Sequence, residues 1–169
     1  MTQRASTTQN VYWTSYNYPQ AIDVTDVTGA ESVSFNYGPD RQRLQQNYST
    51  SSVYESTYYI GGLIDKVVIG STTDYRHYIY AGTEPVAVYS RTAAGVNTMH
   101  YTLEDHQGGI SAITSSAGTV DGTTGIDESF SAFGMRRNPT TWSGAPSTAD
   151  LNTIAGLSRQ GYTFQTALG

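Results

Sequence analysis

The sequence predicts a mainly β protein, an antiparallel meander of β-hairpins with one short C-terminal helix. Three observations predict this fold class. Apolar and polar residues alternate with period two through much of the chain, which is typical of half-exposed strands. Glycine-bearing turns separate runs of five to eight residues. The chain also contains 14 tyrosines, a residue type that favours pleated, half-wet surfaces.

The strands can be placed in order along the chain. The first ten residues are polar, and we expect them to be disordered. An aromatic strand is predicted from Val11 to a stop at Pro19. A hairpin with a polar second strand is predicted over residues 33–46, with its turn at Gly38, Pro39 and Asp40. Further strands are predicted at 53–60, 63–69, 74–80 and 86–90, with Tyr78 and Tyr80 on one face of their strand.

The hairpin over residues 101–114 is the unit around which the chain is organised. Before its turn, apolar residues alternate with His100 and Thr102, the pattern of a half-buried strand. After the turn comes a second apolar run, residues 110–114. Asp and His side chains can bond back to the backbone, and glycines can adopt the positive φ of a tight reversal. The residues that we assign to this motif are Tyr101, Leu103, Asp105, His106, Gly108 and Gly109.

The composition changes after Gly134, where the hairpin pattern gives way to an irregular segment. Ser147 is predicted to cap a helix over residues 148–157. Glycine-bearing turns at 61–62, 82, 108–109 and 134 predict degenerate internal repetition, and residues 121–125 are predicted to be a loop. The predicted organisation is therefore a disordered segment at 1–10, a hairpin region at 11–134 and a C-terminal segment at 135–169.

Composition excludes several classes of function. The net charge is −5 with nine Lys and Arg residues, which argues against a nucleic-acid partner. The absence of cysteine excludes disulfides and thiolate metal sites. The sequence has no apolar signal-peptide core and no run long enough to span a membrane, so we predict no membrane insertion.

One cluster of ionisable residues could carry chemistry: His100, Glu104, Asp105 and His106. It could hold a metal ion or supply an acid and a base. The structural interpretation, which we favour, is a turn in which Asp105 accepts backbone amides and His106 packs against a neighbouring strand. Since common hydrolase, nucleotide-binding and zinc-protease motifs are absent, we predict no enzymatic activity and no cofactor.

Two motifs carry a resemblance to a known family. They are Phe35-x-Tyr37-Gly38-x-Asp40-x-x-Arg43 and Tyr101-x-Leu103-x-Asp105-His106-x-Gly108, followed by Phe130 to Gly134 and a pair of arginines. This order resembles the Rhs/YD-repeat family and its Rhs-associated core region. The family's turn usually reads Asp-His-Leu-Gly-Ser, so Gln107 and Gly109 depart from it. Near the C-terminus Phe164 stands where the family has glycine, and the rest of the core, with the aspartates implicated in self-cleavage, is not present.

The resemblance implies a structural role. In the family, YD repeats form a long sheet that spirals into a shell around a toxic C-terminal polypeptide. This chain would then be part of a bacterial polymorphic-toxin or toxin-complex protein. It would be exported from the cytoplasm by a dedicated system to the cell surface or beyond, with the remaining shell and the toxin as partners. The residues that the resemblance assigns to repeat packing are Phe35, Tyr37, Gly38, Asp40, Arg43, Tyr78 and Tyr80.

An isolated strip of such a sheet has unpaired edges, which invite pairing with another copy. The sequence therefore also predicts a homo-oligomer or a strand-exchanged dimer.

The aromatic residues support an alternative function, carbohydrate or cell-surface binding. Exposed rings at Tyr12, Trp13 and Trp142 could stack on sugars. The tyrosines could instead be cross-strand packing pairs, which we favour because they follow strand parity.

Overall fold

The computed structural model describes residues 8–27, 29–120, 125–158 and 160. Within these ranges it contains thirteen strands and one helix. Their bounds are β1 Thr8–Trp13, β2 Pro19–Asp26, β3 Gly29–Tyr37, β4 Arg43–Ser49, β5 Tyr54–Ile60, β6 Ile64–Ile69, β7 Thr72–Ala81, β8 Glu84–Arg91, β9 Asn97–Glu104, β10 Ile110–Ile113, β11 Ile126–Asp127, β12 Ser129–Phe130, β13 Arg136–Arg137 and α1 Thr148–Leu157.

The predicted fold class is confirmed. Strands β1 to β11 lie in one antiparallel sheet in chain order, and β12 pairs with β13 in a small second sheet. Each strand from β2 to β10 therefore pairs with its predecessor through a connection of two to five residues, which is the arrangement of a meander, and β11 pairs with β10 after a longer connection. The chain divides into two compact units, Met1–Tyr75 and Arg76–Gly169, which we call unit 1 and unit 2.

One turn geometry recurs in both units. In this five-residue turn the amide of the first residue donates to the carbonyl of the fifth, and the amide of the fourth residue donates to the carbonyl of the first. The N···O distances are 2.6–3.1 Å. The fourth residue has a positive φ. This is the type I turn followed by a left-handed residue that closes three-residue hairpin loops. In the described part of the chain it occurs at residues 14–18, 38–42, 92–96, 105–109, 115–119 and 131–135.

A side-chain oxygen at the first position reinforces most of these turns. It accepts the amide of the fifth residue at 2.9–3.2 Å in the turns that begin with Thr14, Thr92, Asp105, Ser115 and Ser131. Small side chains with an acceptor oxygen are favoured at this position because they satisfy backbone donors locally. The recurring unit is thus a Ser, Thr or Asp followed three residues later by a left-handed residue.

Only some of the predicted glycine-bearing turns have this recurring geometry. Gly108 and Gly134 are left-handed residues of the recurring turn, but Gly61 and Gly62 both have positive φ, 61° and 70°, in the three-residue connection between β5 and β6. Two consecutive left-handed residues are typical of a type I′ turn. Gly109 is not left-handed, contrary to our expectation, because the recurring turn needs only one such residue.

The observed strands cross three of the predicted boundaries. Pro19 begins β2 and does not end the first strand, since the chain has already reversed at residues 14–18. Residues 8–10, expected to be disordered, belong to β1, while residues 1–7 lie outside the described part. The predicted boundary at 134/135 divides the hairpin of β12 and β13. The predicted loop at 121–125 falls outside the described residues except for Gly125.

The inner face of unit 1 is a row of cross-strand neighbours. Phe35 lies opposite Gln46, Gln46 opposite Thr57, and Thr57 opposite Val67, and all four are buried. The reverse face carries a polar ladder, in which Ser56 donates to Asn47 at 2.8 Å. Cross-strand pairs of this kind are the unit of sheet stabilisation.

The core of unit 2 forms where α1 packs near β10 and β11. Ser147 caps the helix, and a capping box links it to Asp150, so the predicted helix and its cap are confirmed. From β7, Arg76 Nη2 donates to the carbonyl of Ala155 at 2.7 Å. The buried apolar cluster consists of Ile110, Ile113, Ile126, Ile154 and Leu157.

The buried face of β9 is the opposite of the one that its apolar residues predict. Tyr101 and Leu103 are exposed, at 49% and 55%, while His100 and Thr102 are buried. The polar residues can be buried because their hydrogen bonds are satisfied; for example, the Thr102 hydroxyl donates to the carbonyl of Pro85 at 2.6 Å. An apolar stripe is therefore left on the outer face of β9.

Gly125→Ala should destabilise unit 2, whereas Gly156→Ala should stabilise it. A Cβ at 125 would lie 2.4 Å from the amide nitrogen of Ser115 and 2.5 Å from the carbonyl of Thr119, and backbone atoms cannot move aside cheaply. We expect a loss of about 1–3 kcal/mol or more in the free energy of unfolding. A Cβ at 156 meets nothing within 4 Å, so removing a helical glycine should gain about 0.5–1 kcal/mol. Urea unfolding of both variants measures the difference, and equal effects would contradict these contacts.

Candidate functional site

The ionisable residues of the 101–114 hairpin have structural roles. Asp105 Oδ1 accepts the amides of Gln107 at 2.8 Å and Gly109 at 2.9 Å, as the structural interpretation expects. His106 is exposed on the turn, so the expectation that it packs against a strand is wrong. It lies in the turn, outside both paired strands, so it has no cross-strand neighbour.

His100 is held inside unit 2 by both ring nitrogens. Nδ1 lies 2.8 Å from the carbonyl of Thr114 and must donate to it, since a carbonyl only accepts. Nε2 lies 3.0 Å from the Thr98 hydroxyl. No group of three potential metal-ligating His, Cys, Asp or Glu side chains comes together in the described residues. The sequence cluster is therefore divided between a buried histidine, a partly buried glutamate, a turn aspartate and an exposed histidine.

Glu104 is the member of this cluster whose ionised form is in an unfavourable environment. Burial raises its pKa, and the negative charges of Glu84 and Asp105 raise it further. Its Oε1 is buried and finds no hydrogen-bond partner among the described residues. A carboxylate in this position opposes folding when it is ionised.

Glu104→Gln should therefore stabilise the protein at pH 7. Because the pKa of Glu104 is raised in the folded state, protonated Glu104 adds to the free energy of unfolding of the wild type below the unfolded-state pKa. This stabilisation is lost as the pH rises through the folded-state pKa. The variant should need more urea to unfold at pH 7, and its advantage should shrink below about pH 4. Asp40→Asn, an exposed change in unit 1, is the control. A less stable Glu104→Gln protein at pH 7 would contradict this account.

An open groove lies beside the same hairpin in unit 2, with a volume of about 570 Å³. Its apolar lining includes Leu103, Phe130 and Trp142. Its polar lining includes Asp105, Gln107, Ser111, Asp127, Ser129 and Arg137. The groove thus combines aromatic surface with hydrogen-bonding groups, as small-molecule sites do.

Trp142 is held rigidly at the rim of this groove. Its φ is 58°, the left-handed region that a bulky residue rarely adopts. Its amide donates to the carbonyl of Asn138 at 2.9 Å, and Asn138 Oδ1 accepts the amides of Thr140 and Thr141, both at 2.9 Å. Such backbone strain costs about 1–3 kcal/mol and persists only where its surroundings enforce it. The side chain is nonetheless 68% exposed.

Two arginines of β13 have different partners. The guanidinium of Arg137 lies 5.4 Å from the centroid of the Trp142 ring, and its Nε donates to Ser129 Oγ at 2.9 Å. Arg136 forms an ion pair with Glu128, whose side chain is fully buried. Arg137 therefore supports the tryptophan, and Arg136 anchors the strand.

The repeat-packing residues of unit 1 lie together at the turn ends of its hairpins. Arg43 lies over the Phe35 ring at 4.5 Å, and the Tyr37 hydroxyl donates to the carbonyl of Pro19 at 2.7 Å. Tyr37 also packs edge-on against Tyr16 and Tyr18, at 6.1 Å and 5.4 Å between centroids. These residues form a packed aromatic cluster.

The other assigned residues have separate positions. Gly38 starts a recurring turn in which Asp40 Oδ2 accepts a long hydrogen bond, 3.4 Å, from the side-chain amide of Gln42. In unit 2, Tyr78 is buried with its hydroxyl 3.5 Å from Ser158 Oγ, and Tyr80 is half-buried.

Of the residues that line the groove, the sequence singles out Leu103, Asp105 and Trp142, but not as neighbours. Trp142 was expected to be exposed, but Asp127, Phe130 and Arg137 were not singled out as neighbours of that ring. Tyr12 and Trp13, the other predicted stacking residues, are exposed on β1 in unit 1. The available signal was the clustering of aromatic and arginine residues between positions 130 and 142.

Comparisons with known proteins leave the family open. A scan against family models finds no match, and a search of curated proteins finds none either. Within the described ranges no helix is long and apolar enough to cross a membrane.

Proposed function

We propose that this chain is a structural section of an Rhs/YD-repeat shell, which encloses and delivers a C-terminal toxin in a bacterial polymorphic-toxin or toxin-complex system. The role is mechanical and requires no catalysis by this chain. Its partners are the remaining strands of the shell and the enclosed polypeptide. The protein would be made in the cytoplasm and exported by a dedicated system.

The recurring turn is the observation that supports this proposal most strongly. One hairpin geometry is used at six places in the described chain, and the strands follow each other in sheet order. A sheet assembled in this way can be lengthened by adding hairpins, because each one pairs only with its neighbours. A wall built of repeated hairpins needs this property.

Uncovered surfaces support the same role. All six residues of β1 are exposed, and no described strand pairs with its outer edge. Unit 1 also exposes Tyr54 and Leu63, and unit 2 exposes Tyr101 and Leu103. Proteins that function alone usually protect sheet edges and limit exposed apolar surface. These surfaces fit a chain that is covered by further strands and cargo.

Limited proteolysis of the product of the complete reading frame tests the proposal. We expect any segment encoded after residue 169 to resist trypsin when it is attached to the hairpin array. The same segment expressed alone is the control and should be cut readily. Equal cleavage rates for the attached and the isolated segment, or a reading frame that encodes no further domain, would contradict the shell function.

A further inference from the structure

We propose that the open groove of unit 2, beside the 105–109 turn and under Trp142, binds a neutral oligosaccharide. This site goes beyond the shell proposal and does not depend on it. All its lining residues belong to unit 2, so it is complete whether or not other strands pair with β1.

The volume suits a short carbohydrate. Small-molecule sites are concave and typically enclose about 300–1,000 Å³, and this groove measures about 570 Å³. Leu103 and Phe130 provide apolar surface, while Gln107 and Asp127 provide hydrogen-bonding groups. A sugar presents the same two chemistries, C–H faces and hydroxyl edges.

The tryptophan provides the stacking surface. The faces of an indole carry partial negative charge and attract the weakly positive C–H groups on one face of a sugar ring. Arg137 lies over the ring, yet the side chain remains 68% exposed. The hydrogen bonds around Asn138 fix the backbone of Trp142 before any ligand arrives. Little backbone conformational entropy would therefore be lost at Trp142 on binding.

The polar groups favour hydroxyls over anions. Asp127 is exposed and lines the groove, so its carboxylate can accept from a pair of sugar hydroxyls. Asp105 adds a second negative charge to the lining. Arg137 is already bonded to Ser129 and stacked on Trp142. Phosphates and acidic sugars would meet net repulsion.

An extended peptide is a poorer fit to the wall formed by β10. That strand pairs with β9 on one side and with β11 on the other. Peptides that add a strand need a free sheet edge for main-chain hydrogen bonds. Side-chain recognition of a compact polar ligand is the interaction that this wall offers.

Fluorescence can report occupancy of the groove directly. The chain has two tryptophans, Trp13 and Trp142, so Trp13→Phe leaves the groove residue as the sole indole. A glycan array first identifies the glycans that bind. Three neutral trisaccharides, maltotriose, cellotriose and N,N′,N″-triacetylchitotriose, are then titrated into this variant. Trigalacturonic acid and a neutral extended pentapeptide are the comparison ligands. We expect the emission of Trp142 to shift only with neutral sugars.

Substitutions locate the site. Trp142→Ala and Trp142→Gly should weaken sugar binding at least tenfold by calorimetry, and Asp127→Asn about threefold. The glycine variant adopts the positive φ without strain, so it guards against loss of binding through misfolding. Trp13→Ala and Tyr12→Ala are matched controls and should bind as the wild type does. The proposal is overturned if the array retains no neutral glycan, if Trp142→Gly binds normally, or if the acidic sugar or the peptide binds better.

Discussion

Replacing Glu128 with alanine is expected to lower the free energy of unfolding of unit 2 by about 3–5 kcal/mol. The Glu128 side chain is fully buried and its carboxylate is paired with Arg136, which is 18% exposed. Burial lowers the pKa of Arg136, yet a guanidinium stays charged at any ordinary pH. Removing the carboxylate would leave that charge buried beside the Phe130 ring without its counterion.

A double variant separates this cost from the value of the pair itself. Glu128→Leu with Arg136→Leu removes both charges, and replacing a buried pair with apolar residues is often neutral. We expect it to recover most of the stability lost by Glu128→Ala in urea unfolding. Asp127→Asn, one residue away and exposed, should change stability by less than about 0.5 kcal/mol. If Glu128→Ala lowered the free energy of unfolding by less than Asp127→Asn does, the buried ion pair would be refuted.

The second large effect is expected at Ile113. This side chain is 0% exposed and lies in one cluster with Ile126, Ile154 and Leu157, which ties α1 to the strands. Ile113→Ala removes buried methyl groups and leaves a cavity, so it should cost about 2–5 kcal/mol, against about 0.5–1.5 kcal/mol for Ile113→Val.

Leu151→Ala on the outer side of α1 is the matched control for Ile113. Leu151 is 41% exposed and is absent from the buried cluster. Leu151→Ala should lower the free energy of unfolding only slightly in the same urea titration. If Leu151→Ala were as damaging as Ile113→Ala, α1 would have to pack through a different face from the one in the structure.

Local signals explain why the strands and the helix could be predicted. Period-two patterning placed the hairpin around Asp105, and Ser147 with Asp150 marked the start of α1. These features depend on residues close in sequence. The type of each turn was harder to predict, because Asn17 and Arg41 adopt the left-handed position that glycine fills elsewhere.

The orientation of β9 and the groove could not be predicted, because both depend on tertiary partners. Hydrophobicity alone places Leu103 inside, but His100 and Thr102 take the inner face once distant carbonyls satisfy them. Trp142 was identified as a possible binding residue from its type. Its contact with Arg137 and its place in one groove with Asp127 require the fold of β12 and β13, which single-sequence patterns do not specify.

The open edge at β1 is central to the account of this protein as part of a larger wall. Val11 lies on that strand opposite Ile22, and its side chain is exposed. A lysine at an edge strand discourages pairing with another chain. Ile60→Lys makes the same change on β5, which already has strands on both sides, and is the control.

Light scattering of the purified chain over a wide concentration range tests this edge most directly. We predict a dimer or larger species that grows with concentration, is converted towards monomer by Val11→Lys and is unchanged by Ile60→Lys. A wild-type protein that stays a monodisperse monomer at high concentration would contradict the account.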